Sequence, residues 1–185
     1  RGLGDVYKRQ LRGDLTLDQD ENFDAFGFYI MDELSSGNFK IVAGIRYDIN
    51  TLEALDRFLA NGNDSGSLSL NAWSSSLGIN YQLNQNQYFF ASYRTSFETP
   101  VLSELSANPK GVGGFNTDLS AQKAKNTEFG FRSLGKKSEL EVILFNIQTK
   151  NDLVPYELES FPDRNFYRNS GETKRRGLEV AYSLK

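Results

Sequence analysis

The sequence predicts an all-β protein: an antiparallel meander of about seven strands, forming part of a large transmembrane β-barrel whose sheet is left open. Three observations lead there. Side-chain polarity alternates with period two along most of the 185 residues. The connections alternate between tight turns and long links. A 13% aromatic content accompanies a mean hydropathy of -0.51, a pairing that suits a sheet with one apolar and one polar face.

The first strand, FDAFGFYIMDEL, is apolar on both faces near its middle. In FKIVAGIRYDI, Phe39, Ile41, Ala43, Ile45, Tyr47 and Ile49 share one face, and Lys40, Val42, Gly44, Arg46 and Asp48 the other. TLEALDRFLANG (Thr51–Gly62) alone has helical spacing and is expected as a short helix ended by Gly62. NAWSSSLGINYQL sets Trp73, Leu77, Ile79, Tyr81 and Leu83 against Ala72, Ser74, Ser76, Gly78, Asn80 and Gln82. YFFASYRTSF sets Phe89, Ala91, Tyr93 and Phe97 against Ser92, Arg94 and Ser96. ELEVILFNIQTK places Ile143, Phe145 and Ile147 on one face but Val142 and Leu144 on the other. GLEVAYSLK alternates Leu178, Val180, Tyr182 and Leu184 with Glu179, Ala181, Ser183 and Lys185.

Between these strands, SSGN, NQNQ and LGKK read as tight turns. Leu52–Ser69, Pro100–Gln122 and roughly Pro155–Gly171 read as long links. Short turns at one end and long loops at the other are the layout of an outer-membrane barrel. A soluble β-sandwich or a lipocalin-like barrel shares the alternation. Two features favour the membrane. The polar face is rich in Ser, Gly, Ala and Asn, which suits a crowded lumen. Aromatics sit near strand ends (Tyr47, Trp73, Tyr81, Phe89, Phe97, Tyr182), where interfacial girdles lie, although aromatic residues also favour strands in general.

Composition narrows the chemistry. The chain has no Cys and no His, which removes the usual zinc and copper ligand sets, the Ser-His-Asp arrangement and any disulfide framework. Carboxylate-only metal sites stay open, but no metal, cofactor or catalytic residue is expected. GVGG (Gly111–Gly114) lacks the Gly-Lys-Ser/Thr ending of a phosphate loop. A net charge of -3 gives no reason to expect a nucleic-acid partner. No apolar run reaches the length of a transmembrane helix.

Several blocks carry a family resemblance. SFETPVLSEL, with Ser96-Phe97, Pro100 and Glu104-Leu105, resembles the strand-to-loop segment of TonB-dependent outer-membrane receptors. NTDLSAQKAKNTEFGFR is similar to that family's Asn…Leu…Glu-x-Gly block through Asn116, Leu119, Glu128 and Gly130, with Ala121-Gln122 where the family has Pro-Glu. LFNIQTKNDLV resembles its strand with an aromatic residue followed by Asn-Asp. YRNSGETKRRGLEVAYSL resembles its Asn-x-Gly…Gly-hydrophobic-Glu strand through Asn169, Gly171, Gly177 and Glu179. FYIMDEL…FKIVAGIRYD resembles its Gly-x-Arg-Tyr-Asp hairpin. The resemblance covers nearly everything from Asn22 onward. The opening RGLGDVYKRQ (Arg1–Gln10) instead resembles a translated sequencing-adapter remnant, so residues 11–185 are read as a partial receptor barrel.

The resemblance implies energy-dependent uptake of a scarce nutrient across the outer membrane of a Gram-negative bacterium, with a ferric siderophore as the expected ligand. It implies further partners: outer-membrane lipid and lipopolysaccharide, the receptor's own plug domain, and the TonB energy complex acting through an N-terminal part outside this chain. Arg46, Arg94, Glu128 and Arg132 are candidates on the lumen face for gripping the plug or passing an anionic ligand, the alternative being charge pairs of the lumen wall. Phe115, Tyr156, Phe161, Phe166 and Tyr167 are loop candidates for stacking on the ligand, or else for packing the loops. A non-energised porin and a soluble secreted ligand-binding β-domain are the competing functions.

Overall fold

The computed structural model describes residues 13–15, 17–110 and 113–184. The Arg1–Gln10 segment and Gly111 lie outside the described residues. Seven strands follow one another: β1 (Gln19–Ser36), β2 (Phe39–Asp56), β3 (Gly66–Asn84), β4 (Gln87–Glu98), β5 (Gln122–Leu134), β6 (Ser138–Leu158) and β7 (Phe161–Leu184). They form one sheet in sequence order, and every neighbouring pair is antiparallel. The tight turns fall where Gly, Asn and Gln were read; Gly37 takes φ 57, a left-handed conformation that glycine adopts without steric cost.

Among the described residues no second sheet covers either face. Phe26, Phe28, Ile30, Leu34, Ile45, Trp73, Phe129, Leu144, Leu178, Val180 and Tyr182 are all exposed. The register joins them into one outward surface. Phe39, Tyr81, Phe89, Phe131, Val142 and Val180 form a row across β2 to β7, and Ile41, Ile79, Ala91, Phe129, Leu144 and Leu178 form the next. This surface is the hydrocarbon-facing side of a barrel wall, not half of a soluble core. Aromatic pairs mark its two borders: Phe39–Tyr81 near a short turn and Tyr47–Trp73 near the other end, each with centroids 4.7 Å apart.

The upper border of the apolar surface gives the strand tilt. On β1 it stops at Phe26, below Asp24; on β7 it stops at Leu178, below Arg176. Traced back across the register, the Leu178 row reaches β1 at Leu34, eight residues from Phe26 over six strand-to-strand steps. With a rise of ~3.3 Å per residue and ~4.8 Å between strands, the strands lean about 43° from the membrane normal. That is the tilt of a membrane barrel.

Two expectations need correction, and one ambiguous strand is resolved. Thr51–Gly62 is not a helix: β2 runs to Asp56, and only Leu59–Asn61 makes a 3-10 turn. Pairing with β1 and β3 on both sides (Leu52↔Phe23, Leu52↔Leu68) outweighs the helical spacing. Asp56 then organises the bend, accepting from Phe58 N at 2.8 Å and Asp64 N at 3.0 Å. Pro155–Gly171 is not a loop but a hairpin extension of β6 and β7, turning at residues 159–160. Pro155 is tolerated because β5 pairing stops at Lys150, leaving that side of β6 without a ladder. On β6 the apolar outward face is that of Val142 and Leu144, while Ile143 and Phe145 point inward opposite Gly130 and Glu128.

The pairing of β3 with β4 stops at Ser76↔Arg94, whereas β3 stays paired with β2 as far as Gly66↔Ala54. At the split, Ser75 N–H donates to the Thr95 hydroxyl (2.8 Å) in place of a backbone carbonyl.

The best-buried apolar cluster lies at the long-loop end. The β4–β5 link turns inward at buried Pro100, makes one helical turn, α1 (Leu102–Leu105), and packs Leu105, Phe115 and Leu119 against Leu52 and Ala54 of β2, with Leu68, Leu153 and Tyr167 alongside. The link therefore straps β2 and β3 to β6 and β7 across the inner side of the wall.

Candidate functional site

Alternation decides which side chains reach the inner face. On β2, Ile45 and Tyr47 point outward, so Arg46 and Asp48 point inward; likewise Arg94 on β4, Glu128 and Arg132 on β5, and Glu141 on β6. All four lumen candidates read from the sequence share this face, but the structure divides them between two grooves. One, of about 330 Å³ at the β3–β4 split, is lined by Tyr29, Met31, Gly44, Arg46, Ser74 and Arg94 of the inner face and reaches Ile30, Ile45, Ser75 and Thr95 between them. The other, of about 370 Å³, contains Arg94, Glu128, Arg132, Glu141, Ser92 and Gly78. Arg94 belongs to both.

Three of the four are already engaged. Arg46 Nε donates to both carboxylate oxygens of Asp48 at 2.8 Å, and Nη2 lies 2.6 Å from Oδ1. Its guanidinium lies over Gly27, where any Cβ would collide with it. Arg132 pairs with Glu141 and donates to Tyr88 Oη at 3.2 Å. Glu128 accepts from Asn126 Nδ2 at 2.7 Å and Ser92 Oγ at 3.4 Å. Arg94 is exposed and has no ion pair or hydrogen bond from its side chain among the described residues. Across from it in register, the buried Asn126 Oδ1 also has no partner. Asp48, Tyr88 and Glu141 were missed from sequence; their signal was their place on the same inward face as the arginines.

The wall between these charges is built for close approach. Gly44, Ala72, Ser74, Ser76, Gly78 and Ser92 present small groups inward on β2, β3 and β4. Further round, two glycines carry aromatic rings: Phe90 covers Gly130, and Phe145 covers Gly177. Among the described residues no cluster of three or more acidic side chains could hold a metal ion.

The loop aromatics take packing positions. Phe115 is buried in the strap's core, with Tyr167 against it. Phe166 is 0% exposed, with Tyr156 and Phe161 at 6.1 and 5.8 Å between centroids and the Arg164 guanidinium 5.3 Å from its ring. Arg168 lies over Tyr156 at 5.1 Å. Phe161 alone of the five is exposed.

Comparisons with known proteins agree with this geometry. Among solved structures, the FrpB iron transporter from Neisseria meningitidis superposes with a TM-score of 0.71, at 21% identity over 91% of this chain and 24% of its own. The ferric citrate transporter FecA in its unliganded form gives 0.70, at 23% identity over 90% and 23%. Among curated proteins, the vitamin B12 transporter BtuB of Vibrio vulnificus is 23% identical over 83% of the chain and 21% of its own length. The TonB-dependent heme receptor A of Haemophilus influenzae is 30% identical over 42% and 11%. The chain thus spans about a fifth or less of the curated relatives it matches. The family model described as TonB dependent receptor-like, beta-barrel matches residues 3–185, and the chain belongs to that family.

Proposed function

We propose that this chain is a wall-and-loop segment of an outer-membrane receptor in a Gram-negative bacterium, which takes up a ferric siderophore with energy supplied through TonB. The family membership and the transporters of iron complexes, vitamin B12 and heme among its relatives support the reading. The observation that carries it at the site is Arg94, an uncommitted cation shared by two inner grooves whose other charged side chains are already ion-paired or hydrogen-bonded. An anionic group entering the lumen, on a plug domain or on a ligand, meets the Arg94 guanidinium, which has no partner among the described residues, in a wall of small side chains. Phe161 and the strap around Phe115 border the external mouth, where the ligand would first be held.

Growth under iron limitation tests this. A strain lacking the complete receptor should fail to grow on its ferric siderophore, and collapsing the proton gradient should stop uptake by the wild type. Replacement with Arg94→Glu should lower the uptake rate while leaving the amount of receptor in the outer membrane unchanged. Unimpaired siderophore use by the deletion strain, with loss of growth on heme or vitamin B12 instead, would overturn the ligand class.

A further inference from the structure

The outward faces of β5, β6 and β7 carry a charge arrangement that transport does not use. Just above Phe129, Leu144 and Leu178, where the apolar surface ends, Arg176 stands opposite Asn146. The next row up brings together Lys125, Gln148 and Lys174, and the one after it Lys123, Lys150 and Glu172. All five cations are exposed. Lys174 has Glu172 at 3.6 Å, and Arg176 donates to Asn146 Oδ1 at 3.0 Å. Lys123, Lys125 and Lys150 have no ion pair among the described residues, and Lys123 is the direct cross-strand partner of Lys150.

Like charges directly opposite each other destabilise a sheet. An anion seated between them reverses the sign of that interaction. Two clusters of adjacent cations in the sequence, Lys136-Lys137 and Lys174-Arg175-Arg176, separate here. Lys136 and Lys137 lie at a short turn, at the other end of the wall. Arg175 points inward opposite Ile147, so of ETKRR the outward group takes the cations Lys174 and Arg176, together with Glu172. The patch lies on the side of the long loops, which is the external leaflet in a barrel of this layout. It is continuous with hydrocarbon-facing side chains below. A soluble polyanion would need the charges alone, whereas a lipid uses both parts.

We infer that Lys123, Lys125, Lys150, Lys174 and Arg176 form a binding site for the phosphate groups of an outer-leaflet phosphoglycolipid, lipopolysaccharide, whose acyl chains lie along Phe129, Leu144 and Leu178. This rests on the barrel reading above. Each cation contributes about a five-fold gain in affinity for an anionic membrane surface. The test uses the complete receptor purified from outer membranes, with bound lipid counted by native mass spectrometry and affinity measured by titration with purified lipopolysaccharide. The triple variant K123Q/K125Q/K150Q should bind about a hundred-fold more weakly and the single K150Q about five-fold. K136Q/K137Q should bind like the wild type, and K123R/K125R/K150R should retain binding, which separates loss of charge from loss of fold. Wild-type affinity in the triple Gln variant would overturn the site. So would a wild type that holds phosphatidylglycerol or inorganic pyrophosphate as tightly as lipopolysaccharide. A receptor absent from the outer-membrane fraction would sink the barrel reading itself; an inserted wild-type receptor without bound lipopolysaccharide sinks only this site.

Discussion

Asn169 grips Ser120 from both sides: its Oδ1 accepts from Ser120 N at 2.7 Å, and its Nδ2 donates to Ser120 O at 2.8 Å. The same Nδ2 donates to Asn151 O at 2.8 Å, where β6 bulges with Asn151 at φ 59. One amide thus ties the β4–β5 strap, the β6 bulge and β7 together. Beside it, Asn116 Nδ2 reaches Tyr167 O at 3.4 Å. Asn169→Ala should release the strap, costing about 1–3 kcal/mol of local stability through unsatisfied backbone groups. Asn169→Asp keeps the acceptor but turns a carboxylate oxygen toward the Ser120 and Asn151 carbonyls, so it should cost at least as much. Hydrogen exchange at the Ser120 amide would report both; unchanged protection in the Ala variant would show that the apolar cluster alone holds the strap.

That clamp shows what was legible in the sequence and what was not. Asn116, Leu119 and Asn169 stood out as block residues, but the bonds that make them necessary join positions far apart in the chain. The period-two alternation exposed the faces of Arg46, Arg94, Glu128 and Arg132 directly, because pleating leaves no other choice. Their partners were hidden: whether Arg132 meets Glu141, or Lys123 meets Lys150, depends on register between strands. Local spacing misled at TLEALD, where Leu52 and Leu55, three apart, match one face of a helix; pairing with β1 and β3 makes the segment a strand and puts them on opposite faces, Leu52 buried and Leu55 exposed.

On β6, where both faces read as apolar, the two sides are physically distinct. Val142 points to hydrocarbon between Phe131 and Val180, while Ile143 points inward between Gly130 and Glu179. Val142→Arg should cost about 2–4 kcal/mol, as expected for a cation near the bilayer midplane. Ile143→Arg, beside Glu179 and Glu141, should cost markedly less. Urea titration of the complete barrel refolded in bilayers compares the two; equal or reversed penalties would invert the face assignment.

Gly130 is required because the ring of Phe90 lies against its Cα from the neighbouring strand. An aromatic ring laid over a strand glycine covers backbone that a side chain would otherwise shield. Gly130→Ala should force the ring aside and cost about 1–3 kcal/mol by overpacking. In the double variant Gly130→Ala/Phe90→Leu the clash is absent, so the two effects should fail to add by at least about 0.5 kcal/mol. Strict additivity in denaturant midpoints would mean that Phe90 does not rest on Gly130.

The chain's single tryptophan offers the most direct test of which side meets lipid. Trp73 points outward, is 63% exposed, packs against Tyr47 and sits one outward position below polar Asn71 at the border of the apolar surface. Such a residue belongs at the level of the headgroups, where an apolar ring with one N–H donor is best accommodated. In a complete receptor whose other tryptophans are replaced by Phe, Trp73 fluorescence should be strongly quenched by lipids brominated close to the headgroup. Lipids brominated near the acyl terminus should quench it only weakly, and water-soluble acrylamide should be a poor quencher. Strong acrylamide quenching with no effect of either brominated lipid would place Trp73 in water, and the outward row from Phe28 through Tyr47 to Trp73 could not then be the membrane face.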